Sequence, residues 1–383
     1  MPFPCCRHQI SFVSGQLLPT VLAAGLPGAE PACVHGIVTP EMKAHGRILR
    51  EALESRGRRY REHELRDSGQ QGIFDLLDAV RESCAGESLG LNLTGGTKLM
   101  ALAAAEWAWA CEVPTFYVDT GADTIVLPGR QWEYLPLPDV LDVRGLLAAG
   151  GYNVKSLDQT AVPGERRNRL RELLKLLCTA PDAAPALQSL NACARMAAHQ
   201  ADRMAEDRAT PTGTWRRLLD ICRRAGMLHY ANGWLCFPSE EARTWCNGLW
   251  FEEYVRMILY KMQCEGRIRA WGASVQVEKA GVPNELDALF CVRNRLFIVE
   301  CKTAGMHTDR KTDEDRNKVS SMLYKTDSLQ DRLGGVFAQS MICSVLPLEN
   351  RELKRARDIG IRVASGRELL QLDEVFTRWA SRS

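Results

Sequence analysis

The sequence has no long apolar run and almost no net charge. Its most apolar segment, residues 100–110, is interrupted by Glu106, whereas a membrane-spanning helix needs about 18 to 20 apolar residues. The 49 lysines and arginines nearly balance the 47 aspartates and glutamates, which leaves a net charge of +2. These absences exclude a membrane protein and a uniformly basic protein that coats nucleic acid, although a balanced total still allows local basic patches.

Metal-binding and targeting motifs are absent as well. The 14 cysteines are scattered without a CxxC pair and the seven histidines form no HExxH, so the ligand pairs typical of zinc sites are missing. The N-terminus, MPFPCCRHQI, lacks the charged and then apolar pattern of a signal peptide. We therefore expect a cytoplasmic protein whose cysteines are free thiols.

Length and composition indicate a folded protein of several domains. The 383 residues are 45% hydrophobic and 25% charged, the mix found in ordinary globular domains of about 150 residues each. The patterning changes twice along the chain, which predicts domains at residues 1–148, 165–242 and 246–383. Stretches containing glycine and proline near residues 148–164 and 207–213 are the candidate linkers.

Predicted strands alternate with predicted helices in the first domain. The strands are Gln9–Ser14, Cys33–Thr39, Ser88–Thr94 and Pro114–Thr120, with a hairpin partner near Thr124–Leu127, and the helices are Glu41–Ser55, Asp75–Ser83 and Thr97–Ala110. This alternation favours an α/β fold with a doubly wound, mainly parallel sheet. The middle domain instead shows amphipathic helices followed by a hairpin turn at Asn232-Gly233, which predicts a winged-helix-like connector.

A double glycine follows one of these strands and precedes a helix, at Gly95-Gly96-Thr97-Lys98. Glycines let the backbone approach a ligand closely, and the N–H groups at a helix start favour an anion. Lys98 opposes the helix dipole there unless a phosphate is bound. The order of residues is neither a Walker A motif nor GxGxxG. The segment therefore predicts either a phosphate cradle or a tight structural turn.

Small polar residues follow two other strands of the predicted sheet, at Ser14-Gly15-Gln16 and at Thr39. Ligands of open α/β sheets bind beyond the carboxyl ends of the strands. Hydroxyl and amide groups in that place suit a ligand rich in phosphate, ribose and base edges. Each of them is equally compatible with an ordinary capping role.

The segments VSGQLLP and NLTGGTKLMALAA resemble the CARF domain, the Rossmann-like sensor of cyclic oligoadenylates in type III CRISPR systems. The resemblance covers about the first 140 residues. It implies a homodimer whose two-fold axis passes through the ligand pocket, and a symmetric cyclic activator, for which cyclic tetra-adenylate is the better expectation.

Two acidic residues lie on neighbouring predicted strands of the last domain. The alternating flanks of Arg293-Asn294 predict a hairpin that places Asp287 directly opposite Glu300, with Lys302 on the face of Glu300. Opposed carboxylates repel each other, so we expect a cation between them, and hard oxygen ligands suit Mg²⁺ or Mn²⁺.

Further groups are expected near this metal. The backbone carbonyl of Cys301 is a candidate ligand, and Lys302 is placed to orient the attacking water or offset charge in the transition state. Upstream, the helix predicted over Leu249–Met262 places Glu252 at the edge of its buried stripe, whereas Glu253 is expected to face Arg256 and solvent. Glu252 is therefore the expected third acidic residue.

The pattern of Asp287, Glu300 and Lys302 resembles the PD-(D/E)xK signature of restriction-endonuclease-like nucleases, with Leu286 in place of the proline. Tyr324-Lys325 and Gly334-Gly335 also resemble the family pattern, and Lys325 is either a phosphate contact or a solvated side chain. The whole chain is similar to CARF-containing CRISPR ancillary nucleases. The resemblance implies a homodimeric, metal-dependent nuclease that a cyclic oligoadenylate activates and that cleaves DNA, RNA or both.

Two other functions are compatible with parts of the sequence. The RxxxxH pattern of HEPN ribonucleases occurs at Arg58–His63, although inside the sensor region. A ligand-gated transcription regulator would use residues 215–239 to bind DNA, with a basic face on its first helix. The acidic hairpin favours the nuclease, and metal dependence distinguishes the two, because a regulator binds DNA without cutting it.

Overall fold

The computed structural model describes residues 6–27, 31–209, 212–303 and 338–381. The chain forms two compact units. The first contains Met1–Val154 with the short segments Glu278–Val282 and Arg293–Arg295, and the second contains the rest of the chain. Among the described residues, no helix combines the length and the apolar character that crossing a membrane requires.

The first unit is built on a seven-stranded sheet of order β3-β2-β1-β4-β5-β6-β7. The strands are β1 His8–Phe12, β2 Cys33–Val38, β3 Arg59–Glu64, β4 Leu89–Asn92, β5 Thr115–Asp119, β6 Thr124–Leu127 and β7 Glu133–Pro136. The first five are parallel, and β6 and β7 continue the sheet antiparallel. The predicted doubly wound sheet and its hairpin partner are confirmed.

The helices of the first unit are α1 Leu18–Ala24, α2 Lys43–Glu54, α3 Gln70–Ser83, α4 Lys98–Ala110 and α5 Val143–Ala149. A short 3-10 turn at Pro40–Met42 precedes α2, as the proline after Thr39 predicts. The strand β3 has no counterpart in the prediction, because only one residue of its sequence RYREHE is buried and the apolar alternation of a strand is therefore missing.

The second unit contains a six-stranded sheet of order β16-β15-β14-β13-β12-β8. Its strands are β8 Asn153–Asp158, β12 Ala270–Lys279, β13 Val282–Val292, β14 Arg295–Lys302, β15 Ala338–Ser344 and β16 Arg362–Ser365. The helices α10 Trp250–Cys264, α11 Asn350–Asp358 and α12 Leu372–Ser381 accompany it. Because β8 is a strand of this sheet, the prediction of a linker over residues 148–164 is wrong for residues 153–158.

The residues between β8 and α10 form helices and a small sheet. The helices are α6 Gly164–Thr179, α7 Ala183–Ala197, α8 Gly213–Arg224 and α9 Glu240–Thr244, and the strands are β9 Met204–Glu206, β10 His229–Ala231 and β11 Trp234–Cys236. The predicted hairpin turn is present, with φ of +53° at Asn232 and +78° at Gly233. This region shares one continuous apolar core with the last 140 or so residues, and its separation into a third domain stays a prediction.

The turn between β13 and β14 has the predicted position. Arg293 and Asn294 both have positive φ, +52° and +55°, the geometry of a two-residue hairpin turn. The buried side chain of Asn294 accepts hydrogen bonds from the N–H groups of Val140 and Leu141 at 2.9 and 3.2 Å. The guanidinium of Arg295 binds both carboxylate oxygens of Asp123 at 2.8 and 2.9 Å. These contacts explain why segment 293–295 belongs to the first unit.

Candidate functional site

The acidic hairpin brings its three predicted groups together. The carboxylate of Asp287, on β13, accepts a hydrogen bond from the backbone N–H of Cys301 at 2.8 Å. One residue further along β14, Lys302 donates to Glu300 Oε1 at 2.7 Å. The side chain of Cys301, between them, is buried. Its backbone carbonyl lies between Glu300 and Lys302 in the chain. The role of this carbonyl as a metal ligand stays a prediction.

Burial and mutual repulsion perturb these groups. Burial, together with the charge of Glu300, raises the pKa of Asp287 to about 6, against the lowering effects of Lys302 and the Cys301 N–H. Burial disfavours the charged form of Lys302, but the charges of Glu300 and Asp287 outweigh it and hold the lysine pKa above its usual value. One lysine therefore does not balance the negative charge that the carboxylates of this cluster carry when they are ionised.

The third predicted acid, Glu252, lies close to this hairpin. Burial raises its pKa to about 8, and the charges of Asp287, Glu285 and Glu300 add to the effect. Glu252 also lines a cavity of about 220 Å³ with Arg256 and Ser274. The structure thus brings the predicted residues Glu252, Asp287, Glu300 and Lys302 into one cluster.

A break in helical geometry fixes the start of the helix that carries Glu252. A π-helical segment, Trp245–Leu249, precedes α10, and Gly248 within it has a φ of +133°. A Cβ on Gly248 would lie 2.6 Å from Thr303 Oγ1. Only glycine fits there, so the start of α10 approaches the strand end that carries Lys302. π-Helical turns often occur at functional sites.

One prediction about this helix is wrong, and one acidic neighbour escaped prediction. Glu253 does not face solvent: it is 6% exposed, and it accepts hydrogen bonds from Trp245 Nε1 at 2.6 Å and Arg166 at 3.3 Å. It does approach Arg256, at 3.5 Å. The missed neighbour is Glu285, whose charge acts on both Glu252 and Asp287. Its spacing of two residues from Asp287 on a strand was the available signal.

The donor set fits a hard divalent cation. Three carboxylates converge, and burial, with a further contribution from their mutual repulsion, raises two of their pKa values. A bound cation would favour the charged forms and oppose both effects. Carboxylate and carbonyl oxygens are the ligands that Mg²⁺ and Mn²⁺ prefer. The other residues of the predicted nuclease pattern, Tyr324, Lys325, Gly334 and Gly335, lie outside the described residues.

Steric crowding and backbone conformation explain why two glycines follow β4 in the first unit. A Cβ on Gly95 would lie 1.9 Å from the carbonyl oxygen of Phe12, so the loop after β4 packs directly on the last residue of β1. Gly96 follows with a φ of +82°, which side chains rarely adopt. These two glycines bring the loop after β4 against Phe12, two residues before Ser14.

The predicted ligand-binding residues are at these strand ends. The side chains of Thr97 and Lys98 are exposed, and Thr97 caps α4 by accepting a hydrogen bond from the Met100 N–H at 3.3 Å. Ser14 donates to the carbonyl of Gln16 at 3.1 Å. Thr39 begins the 3-10 turn without a side-chain cap. Thr97 thus caps α4, and ligand binding stays a prediction for Ser14, Gly15, Gln16, Thr39 and Gly95–Lys98.

Two residues that were not predicted shape this loop. Thr94 donates to Asn92 Oδ1 at 2.6 Å and accepts from the Val118 N–H at 2.8 Å. The bonds join the ends of β4 and β5 just before the double glycine. Both residues fall in the predicted strand, which concealed their role in the loop.

The chain combines a CARF sensor domain with an endonuclease domain. Residues 9–131 match the family described as Card1 CARF domain, and residues 239–383 match the family described as Card1-like endonuclease domain. Each match covers about a third of the chain, and the two lie in different parts of it. The chain is a CARF-domain CRISPR ancillary nuclease, as the resemblance of its two motif regions predicts.

Solved structures resemble the chain over nearly its whole length. Protein VC1899 from Vibrio cholerae is 25% identical, with a TM-score of 0.83 and coverage of 97% of both chains. Can2 from Sulfobacillus thermosulfidooxidans, solved in complex with cyclic tetra-adenylate, is 25% identical, with a TM-score of 0.75 and coverage of 97% and 96%.

A third structure shares the fold alone. It is a type III CRISPR defence DNA nuclease activated by cyclic oligoadenylate, 22% identical, with a TM-score of 0.53, covering 95% of this chain and 50% of its own. Curated protein sequences gave no match.

The endonuclease match favours the nuclease over the transcription regulator. The HEPN pattern at Arg58–His63 overlaps β3, the edge strand of the sensor sheet, where His63 Nε2 lies 2.9 Å from His35 Nδ1.

Proposed function

We propose that the chain is an endonuclease that needs Mg²⁺ or Mn²⁺, cleaves DNA or RNA, and is switched on by cyclic tetra-adenylate. The observation that carries the proposal is the cluster of Asp287, Glu300, Lys302 and Glu252 in the endonuclease domain. Its free cysteines, thirteen among the described residues, suit the reducing cytoplasm.

Each group of the cluster has a role in phosphodiester hydrolysis. Asp287, Glu300 and the carbonyl of Cys301 would hold the metal, which when bound supplies Lewis acidity toward a phosphodiester oxygen. Lys302, fixed by its bond to Glu300, orients the attacking water or stabilises the charge that develops on the phosphate. Glu252, with a pKa near 8 before metal is bound, holds a proton that it gives up when the cation arrives.

The sensor geometry supports a phosphate-rich activator. The exposed Lys98 lies in the first turn of α4, directly after the Gly95-Gly96 loop and the cap residue Thr97. Backbone donors and a cation at a helix start favour an anionic ligand. A protein of the same architecture, Can2, has been solved with cyclic tetra-adenylate, and this supports the same activator here.

An exposed apolar stripe supports a homodimer. Leu99, Leu102 and Trp109 lie on one side of α4 and are 76%, 67% and 60% exposed. Large apolar residues in a row on one helix face mark an interaction surface. A second copy of the chain is the natural partner, because a two-fold symmetric ring offers identical edges to two identical sensors.

Cleavage assays test the proposal directly. Full-length protein is incubated with Mn²⁺ and each cyclic oligoadenylate, together with labelled single- and double-stranded DNA and RNA. We expect cleavage only when both metal and cyclic tetra-adenylate are present, and none by Glu300→Ala. Sequence-specific DNA binding without cleavage, in the presence of metal and activator, would instead favour the transcription regulator.

A further inference from the structure

A second group of metal-ligating side chains lies inside the sensor domain, apart from the acidic hairpin and the glycine loop. The ligand atoms of His8, Cys33 and His35 all lie within 4.8 Å of one another. Cys84, the residue that follows α3, adds a thiol whose Sγ is 3.7 Å from His35 Nε2. No sequence motif joins these four residues, because they come from β1, β2 and the end of α3.

The sheet register explains how they meet. His8 pairs with Cys33 across β1 and β2, and His35 follows Cys33 by two residues, so all three side chains point to one face of the sheet. The helix α3 covers that face with Ile73, Leu77 and Val80, which pack in the same core as Cys84. The end of α3 thereby places the Cys84 thiol over the two histidines.

Two of the separations are close to those of a tetrahedral metal site. With zinc bonds of about 2.0–2.1 Å to nitrogen and 2.3 Å to sulfur, tetrahedral ligands lie roughly 3.3 Å apart for two nitrogens and 3.6 Å for nitrogen and sulfur. His8 Nδ1 and His35 Nε2 are 2.9 Å apart, and His35 Nε2 and Cys84 Sγ are 3.7 Å apart. Cys84 lies outside the group whose ligand atoms are all within 4.8 Å of one another. Admitting the ion therefore requires the first pair to open by a few tenths of an ångström and the Cys84 side chain to move toward the other ligands.

The groups beside the second ring nitrogens of His8 and His35 are of the kind that usually accompanies a metal-bound histidine. Metal-bound histidines usually direct their second ring nitrogen to a carboxylate or another polar group. His8 Nε2 is 3.4 Å from the carboxylate of Glu87, and His35 Nδ1 is 2.9 Å from His63 Nε2. Both rings therefore have an outer partner and direct their other nitrogen to the same point.

Burial adds a second argument. His8, Cys33, His35 and Cys84 are 8%, 1%, 0% and 3% exposed. Two thiolates and two neutral imidazoles around a divalent ion form a neutral unit, which an apolar core can hold.

We propose that Cys33, Cys84, His8 Nδ1 and His35 Nε2 form a structural Zn²⁺ site that ties β1, β2 and α3 together. On binding, each thiol loses its proton to solvent and four metal–ligand bonds form. The Cys84 thiol then gives up its contact with the Val80 carbonyl, which is 3.2 Å away in this structure. In the alternative, the histidines form a metal-free chain of hydrogen bonds from His63 through His35 to His8.

Metal content and cobalt spectroscopy test the site without an activity assay. Full-length Glu300→Ala protein serves as the background, because it lacks a ligand of the nuclease metal and the oxygen-only nuclease site contributes no sulfur transitions. We expect one zinc per chain by mass spectrometry. After removal of zinc, Co²⁺ should give thiolate charge-transfer bands in the near ultraviolet and intense tetrahedral bands in the visible.

Substitutions distinguish the zinc site from the metal-free chain of hydrogen bonds. Cys33→Ser and Cys84→Ser should each lose the charge-transfer band or halve it, whereas Cys178→Ser, in the second unit, should keep it. Glu87→Gln should weaken metal affinity about tenfold, the usual effect of losing an outer partner. Unchanged bands in both cysteine variants would overturn the proposal. If neither variant folds, the measurement on protein with intact cysteines decides. If that protein contains no zinc and shows no cobalt bands, the zinc site is wrong and the histidines form the metal-free chain of hydrogen bonds.

Discussion

Lys302 donates a hydrogen bond to Glu300 at 2.7 Å, two residues away on the same strand. The lysine is thereby held at the edge of the carboxylate cluster. In the proposed mechanism, this bond would hold the Lys302 amino group ready to contact the substrate phosphate. It would leave the second carboxylate oxygen of Glu300 to bind the metal ion.

Removal of a carboxylate should abolish cleavage. We expect Asp287→Ala and Glu300→Ala to lose at least a hundredfold in rate, because each removes a metal ligand, and Lys302→Ala to lose a comparable amount. Affinity for the activator should not change. Cleavage rates under saturating Mn²⁺, with Glu265→Ala as a control for an exposed carboxylate, measure the effect. Wild-type rates in any of the three variants would refute the assignment of the active site.

Metal-free protein should lose stability as pH rises. Glu252 and Asp287 have folded-state pKa values of about 8 and about 6, above the ordinary values of 4.5 and 3.8. Between about pH 4 and 8 these two carboxyl groups therefore bind more protons in the folded state than in the unfolded state. Burial lowers the pKa of His35 to about 4, which opposes this effect below about pH 6.5, so the fall in the free energy of unfolding is expected between about pH 6.5 and 8.

Glu252→Gln should remove the upper part of this dependence. Its melting temperature in EDTA should change little between pH 6 and 8 and should exceed that of unsubstituted protein at pH 8 by several degrees, at about 2–4 °C per kcal/mol. Added Mn²⁺ should stabilise the unsubstituted protein more at pH 8 than at pH 6. A melting temperature in EDTA that rises from pH 6 to 8 in unsubstituted protein would contradict the raised pKa values.

How much of the site could be predicted depended on local patterns. Asp287, Glu300 and Lys302 followed from the alternation of two strands around a two-residue turn, which is information contained within 16 residues. Glu253 was misplaced because helical periodicity gives the side of a helix but not the partners that bury a charge, here Trp245 and Arg166. The strand β8 pairs with residues more than 100 positions away, and a local pattern cannot reveal such pairing.

Lys98→Ala should weaken activator binding while leaving the metal site intact. A charge-assisted hydrogen bond to phosphate contributes roughly 1.5–3 kcal/mol, which corresponds to a loss of tens-fold or more in affinity. Calorimetry with cyclic tetra-adenylate at fixed salt measures the loss, with Lys354→Ala, a lysine of the second unit, as the matched control. Equal affinities of Lys98→Ala and wild type would remove Lys98 from the pocket.

Gly95→Ala should be more severe, because the added methyl group meets the Phe12 carbonyl at 1.9 Å. The loop after β4 must shift, so we expect activator binding to be lost and the melting temperature of the sensor to fall. Gly213→Ala, in the second unit, is the control, since nothing lies within 4 Å of its added Cβ. A Gly95→Ala protein that binds the activator as tightly as Gly213→Ala would show that the loop is not part of the pocket.

The exposed stripe of α4 predicts the assembly state. Leu102→Asp places a charge in the centre of the apolar row of Leu99, Leu102 and Trp109, and should convert a dimer into a monomer that binds the activator weakly. Leu370→Asp, at a leucine of the second unit that is 38% exposed, should remain dimeric. Sedimentation velocity measures both. A wild-type protein that is monomeric with and without activator would contradict the homodimer.

Mixed dimers test whether activation is shared between subunits. One subunit carries Lys98→Ala with an intact nuclease, and the other carries an intact sensor with Glu300→Ala. If ligand binding shifts the whole dimer between two states, the intact nuclease should cleave at raised activator concentration, even though its own sensor is impaired. Silence at every activator concentration, while wild-type dimers cleave, would show that each sensor controls only its own chain.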